Sequence, residues 1–285
     1  VPEFEALLDE AMPRMGIAEQ VRLSRVGRKR EIGGGHPFEL KGRDQILLTV
    51  VWLRKYPTHE VLGFLFGVSD STAGRYIKRV LPLLEAIGRD EMRMPRPGKR
   101  GQLLDTLLAE TPELAVLIDS FEQRVQRPQQ RSEADKYYSG KKKQHTLKNQ
   151  VAVDEYTGEI VDVSHSVCGP IHDTTLLDES GLLHRLPPGV GALGDLAYTG
   201  LSKKHPQGLG ATPRKKPRGK PRPEADVAFN TAFARRRIPV EHTIGRLRLY
   251  ESLSQTDRNH RQDHAPRVAA VAGLVNRQIR SRYVH

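Results

Sequence analysis

The stretch Leu114-Ala115-Val116-Leu117-Ile118-Asp119 decides how the rest of the chain reads. Five successive apolar side chains break the in-out alternation of a half-exposed strand. They suit a short strand covered on both faces, as in a sheet flanked by helices. The run ends on a carboxylate. Ends of buried strands are where α/β sheets place polar chemistry, so Asp119 is a candidate site residue.

Reading outward toward the C-terminus, Thr146–Asp154 and Glu159–Val167 are β-rich, and Glu155-Tyr156-Thr157-Gly158 joins them as a hairpin turn. Asp173 opens a helical pattern with Leu176, Leu177, Leu182 and Leu183, and an Asp there predicts an N-cap. Pro187-Pro188-Gly189 stops that helix. Val190 to Leu193 predicts a second short strand, leading into Asp195. Residues 201–222 carry eight Lys/Arg and no acid among Pro and Gly, which predicts a loop. Glu224 to Tyr250 is helical in pattern. Pro239 is placed in a first helical turn, Val240, Ile244 and Leu247 form a buried stripe, and Glu241 lies beside it. A last helix spans about 266–280, with Val268, Val271, Val275 and Ile279 at helical spacing. Three strands followed by alternating helix and strand predict an α/β domain with a mixed sheet.

Reading toward the N-terminus, Gly88 to Gly101 (GRDEMRMPRPGKRG) predicts a linker, followed by a helical piece at Leu103–Leu108. The chain therefore divides into a helical unit, 1–105, and an α/β unit, 106–285. A short amphipathic start, a basic stretch from Arg22 to Arg30 and a Gly33-Gly34-Gly35 break open the first unit. An apolar helix around Arg43–Trp52 follows, with Trp52 read as core. Thr58 to Val80 then reads as helix, turn, helix. Val61, Leu62, Leu65 and Phe66 give the first helix an apolar face, Gly67 allows the left-handed turn, and Ser69 or Ser71 caps the second helix. That second helix presents Arg75, Lys78 and Arg79, cations suited to phosphates beside a groove-reading helix. A solvated basic hairpin would show the same pattern.

The 285 residues carry 46 Lys+Arg against 34 Asp+Glu, a formal charge of +12, which points to a polyanion and first to nucleic acid. The apolar run Ile46–Leu53 is far short of the roughly 20 residues a membrane span needs. The first residues, Val1-Pro2-Glu3-Phe4-Glu5, lack the basic-then-apolar pattern of a signal peptide. One cysteine, Cys168, rules out an internal disulfide framework and fits a reducing cytosol, with Cys168 read as a packing residue. Without thiolates, hard oxygen ligands remain, and these suit Mg²⁺. Asp119 and Asp195 at strand ends, with Glu241 from a nearby helix, could hold two such ions against a phosphodiester. Arg237 and Arg248 flank Glu241 along its helix, where they could hold phosphates. Lys141-Lys142-Lys143 and the basic 203–222 run read as solvated faces or as tracks for a DNA backbone.

At these residues a family resemblance becomes specific. The pieces VLIDSFEQRVQRP (116–128), YYSGKKKQHTLKNQVAVD (137–154), GPIHDTTLL (169–177), GDLAYTG (194–200) and FNTAFARRRIPVEHTIGRLR (229–248) resemble the catalytic domain of DDE transposases. They are most like the insertion-sequence branch that shares its nuclease domain with Harbinger-type transposases. The resemblance covers most of residues 114–250 and extends to the helix-turn-helix at 43–87. It implies an RNase H-like fold with its first Asp at Asp119, its second at Asp195 and its Glu at Glu241. Around the Glu, Arg237, Glu241 and Arg248 match the family's Arg, Glu and Lys positions, with Arg for Lys. Ala234 stands at the family's Tyr, and Asp119-Ser120-Phe121 replaces Asp-Gly-Thr. Asp173 is the rival second acid, set aside for its helix-cap setting.

The resemblance implies a DNA transposase that uses Mg²⁺, with Mn²⁺ able to stand in, in two ions. It implies double-stranded DNA partners at element ends and target, a homodimer that brings two ends together, and a cytoplasmic, nucleoid-associated location in a bacterium. The rival readings are a non-catalytic DNA-binding regulator derived from such an enzyme, and a metal-dependent endonuclease without strand transfer. Gly189 to Gly194 has the spacing of a dinucleotide fingerprint but follows Pro187-Pro188 rather than a strand, so it is read as chance. His260 and His264 have metal-like spacing and are read as a surface pair. Tyr137 and Tyr138 are read as base-stacking or edge-strand residues.

Overall fold

The computed structural model describes residues 2–27, 37–96 and 106–282. Among the described residues, the N-terminal part forms four helices: α1 (Pro2–Leu23), α2 (Gly42–Lys55), α3 (His59–Phe66) and α4 (Asp70–Glu91). β1 (Ala115–Arg124), α5 (Arg131–Tyr137), β2 (Tyr138–Ser139), β3 (Gln144–Asp154), β4 (Ile160–Val163) and β5 (Val167–Cys168) follow. Then come α6 (Asp173–Ser180), α7 (Leu182–Arg185), β6 (Gly191–Leu193), α8 (Leu201–Lys204), β7 (Gly210–Ala211), α9 (Glu224–Arg248), α10 (Glu251–Ser254) and α11 (His264–Ser281).

The sheet runs β2-β3-β1-β6-β7, with β4 and β5 on the other edge of β3. β1 is antiparallel to β3, with Asp119 opposite Val151, and parallel to β6, with Leu117 opposite Leu193. β7 continues the parallel side, with Leu193 opposite Ala211. An antiparallel meander passing into parallel strands is the mixed sheet that the sequence pattern predicts, consistent with the RNase H-like fold that the resemblance implies. The all-apolar run of β1 is buried on both faces for the reason given above. Ala115, Leu117 and Phe121 join α9 and α11 in one hydrophobic cluster. Val116 and Ile118 face Leu177, Leu182, Tyr198 and Leu201 in the other.

The first cluster does not stop at the α/β half. It continues into Leu7, Ile46, Trp52, Leu62 and Leu84 of the helical half. The joint is tightest where α4 crosses α11: a Cβ on Gly88 would lie 2.2 Å from the Ala269 carbonyl oxygen, and one on Gly273 would lie 2.4 Å from the Gly88 Cα. Only paired glycines let these two backbones touch. Tyr56, the αL cap of α2, adds a polar lock. Its hydroxyl donates to Asp257 Oδ1 at 3.1 Å, and Asp257 in turn pairs with the fully buried Arg267 at 2.5 Å.

Several expectations change. The start is a 22-residue helix, α1, rather than a short one. α4 runs through Glu91, so the predicted linker begins inside a helix. The Gly33–Gly35 break, residues 28–30 of the basic stretch, the 97–101 part of the linker and residues 103–105 lie outside the described residues, and only a 3₁₀ turn, Thr106–Leu108, is seen beyond them. In α3 only Leu62 and Gly63 are buried. Val61 and Leu65 face solvent, because α4 and α2 cover one side of so short a helix. The 201–222 loop contains α8 and the two-residue strand β7, too brief to leave a periodic signal. Pro239 lies deep inside the 25-residue α9, not in a first turn. It deprives the Arg235 carbonyl of its helical partner, and Arg235 lies on the exposed side where water can serve instead. Trp52 is core at 3% exposure, as read.

Candidate active site

Asp119 and Asp195 come together because their strands are hydrogen-bonded neighbours. β6 ends at Leu193, opposite Leu117, and each chain then leads into its acid within two residues. Side chains alternate along β1, so Asp119 and Ser120 leave it on opposite faces. Asp119 turns toward α9. There the Arg237 guanidinium lies 3.4 Å from Asp119 Oδ2 and donates from Nη1 to the carbonyls of Ile118 (3.0 Å) and Leu193 (3.2 Å). One buried cation thus ties together the two strands that carry the acids. Ser120 turns the other way and donates to Asp173 Oδ1 at 2.7 Å. The half-buried Asp195 accepts from the Ala197 N–H at 3.0 Å, capping the 3₁₀ turn Leu196–Tyr198.

Burial raises the Asp119 carboxyl above its usual range. Arg237 and the Ser120 N–H oppose that, and the negative charges of Asp195 and Asp173 add to it. A carboxylate crowded by two others is stabilised by a cation placed among them. All the donors are oxygens of hard character, as a divalent alkaline-earth ion requires. Glu241 stands one helical turn beyond Arg237 on α9 and is solvent-exposed. Among the described residues no three acids or imidazoles close on a single point. Asp119 and Asp195 stand at neighbouring strand ends, and Glu241 follows Arg237 by one turn of α9.

Other site residues fall as follows. Arg237 does not reach a phosphate: at 5% exposure it is spent on the strands and Asp119, which corrects its reading as a DNA contact. Three successive arginines on a helix point in three directions 100° apart. Arg235 is exposed, Arg237 is buried under the strands, and Arg236 clamps α9 to the start of β1. Arg236 does so through Glu155 (2.9 Å), Thr111 Oγ1 (2.7 Å) and the Pro112 carbonyl (2.6 Å). Arg248 is exposed at the α9 terminus. Lys141, Lys142 and Lys143 form the exposed tip between β2 and β3, on the edge of the sheet. Asp173 is the first residue of α6 and not its cap, which is His172. Its carboxylate is held by Ser120 and by Lys148 Nζ at 3.1 Å, and Lys148 also donates to the Ile171 carbonyl at 2.6 Å.

In the helix-turn-helix, Gly67 has φ 68° and Ser69 caps α4, its Oγ accepting from the Thr72 N–H at 3.1 Å. Lys78 is exposed. Arg75 folds back on Ser71 and Thr72. Arg79 pairs with Glu19 of α1 at 3.0 Å and stacks 4.0 Å from the Phe38 ring centroid, so it braces the helices. His264 is fully buried, bonding Ser166 Oγ (2.7 Å) and Gln123 Oε1 (2.8 Å), while His260 is exposed. The two are not a surface pair. Tyr137 is half-buried beneath the Arg261 guanidinium, and Tyr138 is an exposed edge-strand residue.

Sequence comparison bears on this geometry directly. The family model for the DDE superfamily endonuclease matches residues 118–276, which include Asp119, Asp195 and Glu241. The chain belongs to the DDE superfamily of endonucleases. The helix-turn-helix of the same superfamily matches residues 39–90, the α2–α4 segment. The endonuclease is also 30% identical, over 83% of its length and 80% of the relative's, to a protein described as a probable transposase for insertion sequence element IS702, from Microchaete diplosiphon. No solved structure matches the chain. Both parts of a DNA transposase are present, a helix-turn-helix that binds DNA and an endonuclease of a superfamily that depends on divalent metal. Among the described residues no helix is long and apolar enough to cross a membrane.

The sequence missed the groups that hold this site in place. Arg236 and Lys148 look like surface or core residues until the fold is known. The only hint was that Arg236 and Arg237 sit in a helix otherwise patterned for burial.

Proposed function

We propose that this endonuclease is an insertion-sequence transposase that binds the ends of its own element through α3 and α4 and cuts and rejoins DNA at Asp119, Asp195 and Glu241. The observation that supports the reading is the Arg237 tie, which joins the two strands that lead into Asp119 and Asp195, with Glu241 one turn further along the same helix. The division into a DNA-binding unit, 1–105, and a catalytic unit, 106–285, belongs to this proposal.

Asp119, Asp195 and Glu241 would hold Mg²⁺, in two ions, with Mn²⁺ able to replace it. When bound, such a pair favours deprotonation of the attacking oxygen and steadies the departing one. In cleavage, a water oxygen bonds to phosphorus and the phosphorus–3′-oxygen bond breaks, leaving a 3′-hydroxyl and a 5′-phosphate. In joining, that 3′-hydroxyl attacks a target phosphorus and displaces the target's own 3′-oxygen. Both are in-line displacements, so one set of acids serves both. Arg237 keeps the carboxylates in register. Lys141, Lys142, Lys143 and Arg248, all exposed, would track the backbone of bound DNA, and Lys78 would meet phosphates beside α4. Pairing two element ends calls for a homodimer, acting in the bacterial cytoplasm at the nucleoid.

The test is a Mg²⁺-dependent cleavage and joining assay on the DNA that flanks the gene, with Asp119→Ala and Glu241→Gln alongside. Cleavage and joined products from the unmodified protein alone support the proposal. Cutting by Asp119→Ala overturns the site. Cleavage without joining makes the protein an endonuclease only. Metal-independent binding with no cutting makes it a regulator.

A further inference from the structure

Tyr198 has a feature that the three acids do not explain. Its side chain is 1% exposed, yet among the described residues no group accepts from or donates to its hydroxyl. A buried hydroxyl left unpaired costs about 1–3 kcal/mol. The phenol is also fixed in place. A Cβ added to Gly194 would lie 2.7 Å from the Tyr198 Cβ and 2.8 Å from its ring, so the ring rests on the backbone just before Asp195. The rest of the ring packs with Val116, Ile118 and Leu177. The charged groups that act on the hydroxyl are Asp173, Asp119 and Asp195, against Arg237. Asp173 is itself held by Ser120 and Lys148 and cannot swing away.

We infer that the Tyr198 hydroxyl is a positioning group for the divalent ion of the active site, donating to an oxygen of the ion's ligand shell from the buried side of the strand ends. The inference rests on the proposed ion site. A rigid donor at the strand ends, on the face of β1 that carries Ser120 and Asp173, is what would orient acceptor-only oxygens there, because an ionised carboxylate has no hydrogen to share with its neighbours. A hydrogen-bond donor to a metal's ligand typically contributes about 10- to 100-fold in metal affinity. It also gives the Gly194-Asp195-Leu196-Ala197-Tyr198 spacing a physical meaning: glycine admits the ring, the acid binds, and the tyrosine supports from below.

The test is Mn²⁺ binding to the full-length protein, followed by electron paramagnetic resonance and by the rise in melting temperature on adding Mn²⁺. Unmodified protein, Tyr198→Phe and Asp119→Asn are compared. Tyr198→Phe should melt at or above the unmodified protein without Mn²⁺, because it removes an unpaired buried hydroxyl. It should bind Mn²⁺ about tenfold more weakly and gain less from it. Unchanged Mn²⁺ affinity in Tyr198→Phe overturns the inference. So does a lower melting temperature without Mn²⁺ combined with an unchanged Mn²⁺ response, which would mark the hydroxyl as structural. If Asp119→Asn also binds Mn²⁺ as the unmodified protein does, the ion site itself is misplaced, a different failure from that of Tyr198.

Discussion

Arg237 lies 3.4 Å from Asp119 and, with the same guanidinium, holds the carbonyl of Leu193 on the neighbouring strand. The cation therefore does two jobs, neutralising one acid and fixing its distance from the strand that leads to the other. Its removal would leave a half-buried carboxylate and two strand carbonyls without their donor. Breaking one partner of such a pair costs about 3–5 kcal/mol. Arg237→Ala is expected to lower stability by about 3 kcal/mol in urea melts and to lose cleavage. Arg248→Ala, exposed at the same helix, should stay within about 0.5 kcal/mol. A near-neutral Arg237→Ala would contradict the buried role.

The helical half and the α/β half share one core, and the Gly88–Gly273 crossing is its least forgiving point. A methyl on either glycine meets backbone, which cannot rotate aside. Overpacking of this kind costs about 1–3 kcal/mol, and more where backbone must move. Gly88→Ala and Gly273→Ala are each expected to destabilise by about 2 kcal/mol or more. Gly16→Ala, with nothing within 4 Å in the middle of α1, should gain about 0.5–1 kcal/mol. Equal, small effects at all three positions, read from denaturant midpoints, would refute tight packing at the crossing.

What could be read in advance follows from where the information lies. The buried run 114–118, the Gly158 hairpin and the α11 stripe are local patterns, and each became the element it suggested. The acids Asp119 and Asp195 were visible because a charge at the end of an apolar run is itself a local signal. The roles of Arg237, Asp173 and His264 are not legible in the sequence because they depend on partners 118, 53 and 141 positions away. A basic residue in a basic helix looks solvated until a sheet is laid against it. The short strand β7 was missed because two residues of parallel pairing carry no period.

His264 gives the fold a pH response. Burial pushes its imidazole down to about 3, with the Arg267 charge adding and Asp257 opposing. Gln123 uses its amide nitrogen on the carbonyls of Ser252 and Gln255, so its Oε1 accepts from His264 Nε2–H, and Nδ1 accepts from Ser166. The folded protein therefore holds His264 neutral, while the unfolded chain protonates it near its ordinary value of about 6.5. Stability from this group is complete above that pH and falls as the pH drops toward the folded value. The loss should be about 2 kcal/mol by pH 5. His264→Gln should be less stable at pH 8 but flatter between pH 7 and pH 5 in urea midpoints. An unchanged slope would remove His264 as the source.

The two basic residues of α4 should separate in DNA binding. Lys78 is exposed on the recognition helix, whereas Arg79 is held by Glu19 and the Phe38 ring. A side chain that touches phosphate releases a counterion, so its removal lowers the salt slope of log affinity by about one. Lys78→Ala is expected to do so with little change in melting temperature. Arg79→Ala should leave the salt slope almost unchanged and lower the melting temperature, because it unties α1 from α4. Both quantities come from fluorescence anisotropy across a salt series and a thermal melt of the same proteins. A reduced salt slope in Arg79→Ala, with stability intact, would return that arginine to the DNA surface and refute its bracing role.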